Sequence, residues 1–127
     1  MTSHIARGMA KILIVENEPD VLCIFEKGLT QSGFEVDGFE DPMKALERFR
    51  PNTYDVLILD IRMPKIDGVE ATRRIIQENR SAVIIGLTVH QDDYISDIMT
   101  KAGAKELLLK DDTPTKIHET ILKYHNA

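Results

Sequence analysis

The stretch that most limits what this chain can become is Val56-Leu57-Ile58-Leu59, an unbroken apolar run that ends on Asp60. A strand with one wet face alternates apolar and polar residues. An unbroken run needs cover on both faces, as in a parallel sheet flanked by helices. Pro64 cannot extend a ladder, and Asp67-Gly68 supplies turn chemistry, so the strand stops near the carboxylate. Parallel sheets place their chemistry at the carboxyl ends of their strands. The constraint therefore sharpens into a question about which groups the other strand ends would bring to Asp60.

The same punctuation recurs along the chain. Lys11 to Val15 reads as a first buried strand, followed by Glu16-Asn17-Glu18 and by Pro19, which suits a first helical turn. Val21, Leu22, Phe25 and Leu29 recur at helical spacing, and Gly33 is placed to close that helix. Phe34 to Phe39 is predicted as a short second strand. Asp41-Pro42 then opens a helix with Ala45, Leu46 and Phe49 inward, stopped by Pro51 and Asn52. After the central strand, a helix from about Asp67 to Asn79 turns Val69, Thr72, Ile75 and Ile76 to one side. Ala82 to Leu87 is predicted as the fourth strand, ending at Thr88. Tyr94, Ile95, Ile98, Met99 and Ala102 mark a fourth helix closed by Gly103, with Ile95, Ile98 and Met99 expected in the core. Leu107 to Leu109 is the fifth strand and leads into Lys110. Thr113-Pro114 caps a last helix with Ile117, Ile121, Leu122 and Tyr124 on its apolar side. Strands alternating with helices through short connections imply one doubly wound (βα)5 domain of the α/β class, with right-handed crossovers. The domain is expected over residues 10–127. Met1 to Met9 is polar and aperiodic, and reads as an added or upstream-start extension.

Composition narrows the function. At 127 residues the chain is long enough for one real core. A net charge of -5 argues against nucleic acid as a direct partner, which needs a basic surface. No apolar run approaches a membrane span and no secretory leader is evident, so a cytoplasmic protein is expected. The single cysteine, Cys23, rules out an internal disulfide and a multi-cysteine metal site, and its spacing predicts a core or near-core position.

In a doubly wound sheet the ends of the first, third, fourth and fifth strands can face one crevice. Here they carry Glu16-Asn17-Glu18, Asp60, Thr88 and Lys110. Three acids with one neutral amide make a hard-oxygen set suited to Mg²⁺ rather than Zn²⁺. A carboxylate beside a cation site, a lysine and a hydroxyl match a nucleophile that receives a phosphoryl group. Lys110 would take one phosphoryl oxygen as a point charge and Thr88 another.

These stretches resemble a known family. KILIVENEPDV is similar to the first strand and acidic loop of response-regulator receiver domains, the phosphorylation modules of two-component signalling. LILDIRMPKIDG resembles their phosphoacceptor motif, GLTVH their switch-threonine segment, and GAKELLLKD their lysine segment. The resemblance covers Lys11 to Tyr124. It implies a flavodoxin-like, five-stranded parallel sheet in order 2-1-3-4-5. By position, Asp60 matches the phosphoacceptor. Glu16 and Asn17 match the acidic pair that helps hold Mg²⁺, and Arg62 the residue whose backbone carbonyl joins them. Thr88 matches the switch hydroxyl and Lys110 the phosphate-contacting lysine. The Arg62 side chain and His90 are candidate modulators of phosphoryl lifetime. The implied partners are a histidine kinase or phosphotransfer protein and a downstream protein target, with homodimerisation left open. Signalling would run through a surface change near the fourth helix and fifth strand. The only catalysis implied is self-phosphorylation and self-dephosphorylation. The alternative reading is a pseudo-receiver, never phosphorylated and used as a constitutive interaction module.

Three positions depart from the family pattern. Asn17 stands where an aspartate is usual, and a missing charge about 4 Å from a cation is worth roughly 4 kcal/mol at an effective dielectric near 20. Leu107 stands where a switch aromatic is usual. Asp111 follows the lysine where proline is usual, so a trans bond is expected there. Asp92-Asp93 and Asp111-Asp112 read as caps and surface charge, and His118 and His125 as solvated helix residues.

Overall fold

A computed structural model describes residues 10–63 and 65–125. The expected extension, residues 1–9, and Pro64 lie outside the described residues. The elements run β1 (Lys11–Val15), α1 (Pro19–Gln31), β2 (Glu35–Phe39), α2 (Pro42–Arg48), β3 (Val56–Asp60), α3 (Gly68–Glu78), β4 (Ile84–Thr88), α4 (Asp93–Ala102), β5 (Glu106–Leu109) and α5 (Pro114–Tyr124). All strand pairs are parallel, and the sheet order is β2-β1-β3-β4-β5. The expected α/β doubly wound architecture is present.

The apolar run of β3 explains the layering. Its residues are all buried, and they alternate between two cores. Val56 and Ile58 join Ile12, Ile14, Ile85 and Leu108 beneath α1 and α5, against Leu22, Phe25, Leu29, Ile117 and Ile121. Leu57 and Leu59 join Leu13, Val15 and Ile84 beneath α2, α3 and α4, against Ala45, Phe49, Ala71, Ile75 and Met99. Full burial of each such side chain is worth about 1.5–3 kcal/mol, so both layers are strongly held.

Helix starts follow the local chemistry. Asp41 accepts from the Met43 N–H at 2.9 Å and Asp67 from the Glu70 N–H at 2.9 Å. Asp92 accepts from the Tyr94 N–H at 2.7 Å, and Thr113 Oγ1 from the Lys116 N–H at 3.1 Å. Gly33 takes a φ of +97° just beyond α1, as its predicted closing role demands.

Some boundaries and faces differ from expectation. The β2 strand starts at Glu35, because the Phe34 N–H closes α1 on the Leu29 carbonyl. The β4 strand spans Ile84–Thr88 rather than Ala82–Leu87, because the Ala82 N–H is spent in a turn on Asn79. The β5 strand takes in Glu106. Cys23 is exposed, since α1 turns Leu22, Phe25 and Leu29 inward and carries Cys23 round to solvent. Tyr94 is 70% exposed and Leu122 40%, while Ile95 and Ile98 are only half-buried beside buried Met99. His118 is half-buried, 5.1 Å from the Phe34 ring. His125 lies beyond α5 with Nδ1 3.5 Å from Asp55 Oδ1, so neither histidine is fully solvated. No helix among the described residues is long and apolar enough to cross a membrane.

Candidate functional site

Parallel register brings the candidate groups together. Val15 pairs with Leu59, Asp60 with Leu87 and Thr88 with Leu109, so the carboxyl ends of β1, β3, β4 and β5 share one edge. Two backbone bonds carry the ladders one residue further. The Glu16 N–H donates to Phe39 and the Lys110 N–H to Thr88, at 3.0 and 2.8 Å. These bonds fix the roots of the acid and the lysine that flank Asp60.

The centre of the site is a buried charge cluster. Glu16 is 0% exposed and Asp60 2%. Lys110 Nζ lies 2.8 Å from Glu16 Oε1, 3.2 Å from Asp60 Oδ2 and 3.6 Å from Glu18 Oε1. Glu16 Oε2 accepts from the Glu18 N–H at 2.9 Å, which engages both oxygens of that carboxylate. Asp60 Oδ1 accepts from the Arg62 N–H at 3.2 Å. Burial, then the nearby Glu16 charge, pushes the Asp60 carboxyl up to about 6; Lys110 and the Arg62 N–H pull against them. Burial works against the Lys110 ammonium, but its bonds to Glu16 and Asp60 prevail and hold its pKa above the usual lysine value.

Asn17 enters the cluster as a donor. Asp60 Oδ2 and the Arg62 carbonyl are both acceptors, so with no cation between them the Asn17 amide satisfies them only when its nitrogen is turned inward. Placed so, it donates to Asp60 Oδ2 at 2.8 Å and to the Arg62 carbonyl at 3.3 Å. The sequence marked Asn17 as an oxygen ligand; which end of its amide turns inward was not legible, since amide orientation depends on what surrounds it. Glu18 leans toward Lys110 rather than toward Asp60 and is largely exposed.

Thr88, His90 and Arg62 line a cavity of about 260 Å³ that opens beside Asp60 and Lys110. The Thr88 hydroxyl donates to the His90 carbonyl at 3.1 Å, bonding the loop rather than Asp60. Asp112 Oδ2 accepts from the Leu109 N–H at 2.7 Å and braces the turn after Lys110. No peptide bond among the described residues is cis, so the Lys110–Asp111 bond is trans as expected. Leu107 is half-buried, with Cδ2 over Gly86 at 2.5 Å from where a Cβ would stand. Gly68 was readable only as a turn residue. A Cβ there would stand 2.5 Å from the Asp60 carbonyl oxygen, so α3 starts directly against the residue that carries the central carboxylate.

Among the described residues no three His, Cys, Asp or Glu side chains converge on one point as a cation cage. The set still fits a small hard cation. One amide nitrogen reaches both Asp60 Oδ2 and the Arg62 carbonyl, so these oxygens face a common point. Mg²⁺ needs only one or two carboxylates and keeps several waters.

Comparison with known proteins agrees with this geometry. The family model for the response regulator receiver domain matches residues 12–122. The response regulator ArlR of Staphylococcus saprophyticus is 34% identical over 115 residues, covering 91% of this chain and 50% of that protein. The chain spans about half the length of several such relatives. A response regulator receiver domain protein from Clostridium thermocellum superposes with a TM-score of 0.84 at 30% identity, covering 92% of this chain and 94% of that one. The chemotaxis protein CheY4 of Vibrio cholerae superposes with a TM-score of 0.81 at 26% identity, covering 91% and 98%. With a sheet in order β2-β1-β3-β4-β5 and this likeness along nearly its whole length, the chain belongs to the response regulator receiver domain family of two-component signalling.

Proposed function

We propose that this chain is a phosphoacceptor receiver that takes a phosphoryl group on Asp60. The observation that carries the reading is the buried Asp60 carboxylate held 3.2 Å from Lys110 at the mouth of a cavity lined by Thr88 and His90. An Asp60 oxygen attacks phosphorus and forms an acyl phosphate. The bond from phosphorus to the donor breaks, and its electron pair leaves with the donor imidazole of a phosphohistidine, or with acetate when acetyl phosphate is used. Lys110, already oriented by Glu16, neutralises one phosphoryl oxygen. The Thr88 hydroxyl leaves the His90 carbonyl to donate to another, which pulls the loop after β4 inward and alters the surface near α4 and β5. His90 and the Arg62 side chain sit at the rim, where they would govern access of hydrolytic water.

Asp60, the Arg62 carbonyl and Asn17 with its oxygen turned inward are the groups that would hold Mg²⁺, with Glu16 adding its charge. The ion supplies charge cancellation between the carboxylate and the incoming phosphoryl oxygens. The partners are a histidine kinase or phosphotransfer protein as donor and a downstream protein as target.

A second reading is a receiver fold that is never phosphorylated and serves as a constitutive binding module. It is favoured by one observation: Asp60 Oδ2 is already bonded to Lys110 and Asn17. Intact-mass spectrometry after incubation with acetyl phosphate and Mg²⁺ separates the two. One added phosphoryl, lost with Asp60→Ala and with EDTA, is the expected result. No addition, even at high Mg²⁺ and in Asn17→Asp, would overturn the phosphoacceptor reading and leave the binding module.

A further inference from the structure

We infer that the Asn17 amide is a built-in stand-in for the divalent cation, bridging the two oxygens that would hold the ion and yielding its place when the ion enters. The inference rests on the cation-dependent reading of the site proposed above.

Three facts carry it. The end of the Asn17 amide lies 2.8 Å from Asp60 Oδ2 and 3.3 Å from the Arg62 carbonyl, and between two acceptors a metal-free site is satisfied by its nitrogen turned inward. The same two oxygens are among the groups proposed above to hold the cation, and one of them belongs to the reacting carboxylate itself. Distances of hydrogen-bond length are far from the 2.0–2.1 Å that Mg²⁺ requires, so ion and amide nitrogen cannot share the two oxygens. An ionised aspartate at position 17 has no donor and would face Asp60 with like charge, so an empty site would be repulsive. Asparagine reverses that: the empty site is bonded and closed. Filling it means breaking both bonds and either turning the amide over to present its oxygen or swinging it aside.

The pairing of Glu16 with Lys110 makes the amide's part distinct. Lys110 serves Glu16 and one side of Asp60, and both Glu16 oxygens are engaged. The positive edge of an amide is then the remaining charge compensation on the cation side of Asp60. Asn17 is in this sense a positioning residue. It holds the metal-free carboxylate in place and sets how much cation is needed to open the site.

Truncation separates this role from simple ligation. Asn17→Ala removes the bridge and lets water supply the lost oxygen. Mn²⁺ binding followed by electron paramagnetic resonance is expected to tighten by about three- to tenfold relative to the unaltered protein, where tenfold is 1.4 kcal/mol. Asn17→Asp is expected to tighten it more. Unchanged or weaker binding in Asn17→Ala, alongside binding in the unaltered protein and Asn17→Asp, would overturn the stand-in while leaving the proposed function in place. Failure of both the unaltered protein and Asn17→Asp to bind Mn²⁺ would overturn the cation-dependent function, and the stand-in with it. A measurement on the unaltered protein needs no variant to fold. Its Asn17 side-chain amide protons are expected to be exchange-protected in EDTA and to lose that protection on Mg²⁺ addition. An Asn17 amide that exchanges freely in EDTA would overturn the inference.

Discussion

Replacing Asp60 with asparagine is expected to stabilise the metal-free protein at neutral pH. Asp60 is 2% exposed, and its carboxyl is pushed from 3.8 to about 6. The folded chain therefore binds that proton more tightly than the unfolded chain does. The effect fades below about pH 4, as the unfolded chain also takes up the proton. It lowers stability progressively as pH rises from about 4 to about 6, and stays constant above. At about 1.4 kcal/mol per pH unit, the ionised carboxylate costs the fold about 3 kcal/mol at pH 7.5. Asparagine removes the charge and keeps an oxygen for the Arg62 N–H, while Lys110 keeps Glu16 at 2.8 Å. Allowing for weakened bonds to Lys110 and Asn17, the expected gain is about 2 kcal/mol, or about 6–10 °C in Tm for a domain of this size. Urea denaturation in EDTA at pH 7.5 and pH 4 measures it. An Asp60→Asn protein less stable than the parent at pH 7.5 would refute the argument. So would an equal gain at both pH values, because most of the effect must be lost at pH 4, where folded Asp60 is protonated.

Other perturbations test the surrounding shell. Lys110→Met removes the cation that faces Glu16, 0% exposed, and Asp60, and should cost about 3–5 kcal/mol at neutral pH. Part of that loss should return near pH 5, where Asp60 takes up its proton, as paired urea titrations would reveal. Gly68→Ala puts a Cβ 2.5 Å from the Asp60 carbonyl and 2.8 Å from Ile61 Cα. Both are backbone atoms, so a loss of about 1–3 kcal/mol or more is expected, with amide NMR shifts centred on Asp60 and Arg62. Gly86→Ala meets only the tips of Leu107 and Met99, at 2.5 and 2.9 Å. Its cost should shrink by about 1 kcal/mol in a Leu107→Ala background, a coupling that a double-mutant cycle in urea reads directly.

The order of elements was legible because each signal is local. The run from Val56 to Leu59 can be satisfied only between two covering layers, and prolines at 19, 42 and 114 start helices wherever they sit. Strand ends were less legible. Ala82 is as apolar as a strand residue, but its N–H is spent on Asn79, and only the turn decides that. Helix faces failed where one turn of rotation matters. Cys23 and Tyr94 fit the apolar count of their helices yet point to solvent, because packing against the sheet fixes the rotation.

For the site, residue type and order along the chain determined which groups stand at the strand ends: Glu16, Asn17, Asp60, Thr88 and Lys110. That much follows from sequence, since a parallel sheet brings all its carboxyl ends to one edge whatever its details. Tertiary structure decided how they are joined. Lys110 bridges Glu16 and Asp60 across fifty residues of chain or more, Thr88 turns to the His90 carbonyl, and the Asn17 amide ends between Asp60 Oδ2 and the Arg62 carbonyl. None of these is a property of a residue alone. Which atom donates, and how far burial raises a carboxyl, depends on the neighbours and the water that folding brings in or shuts out.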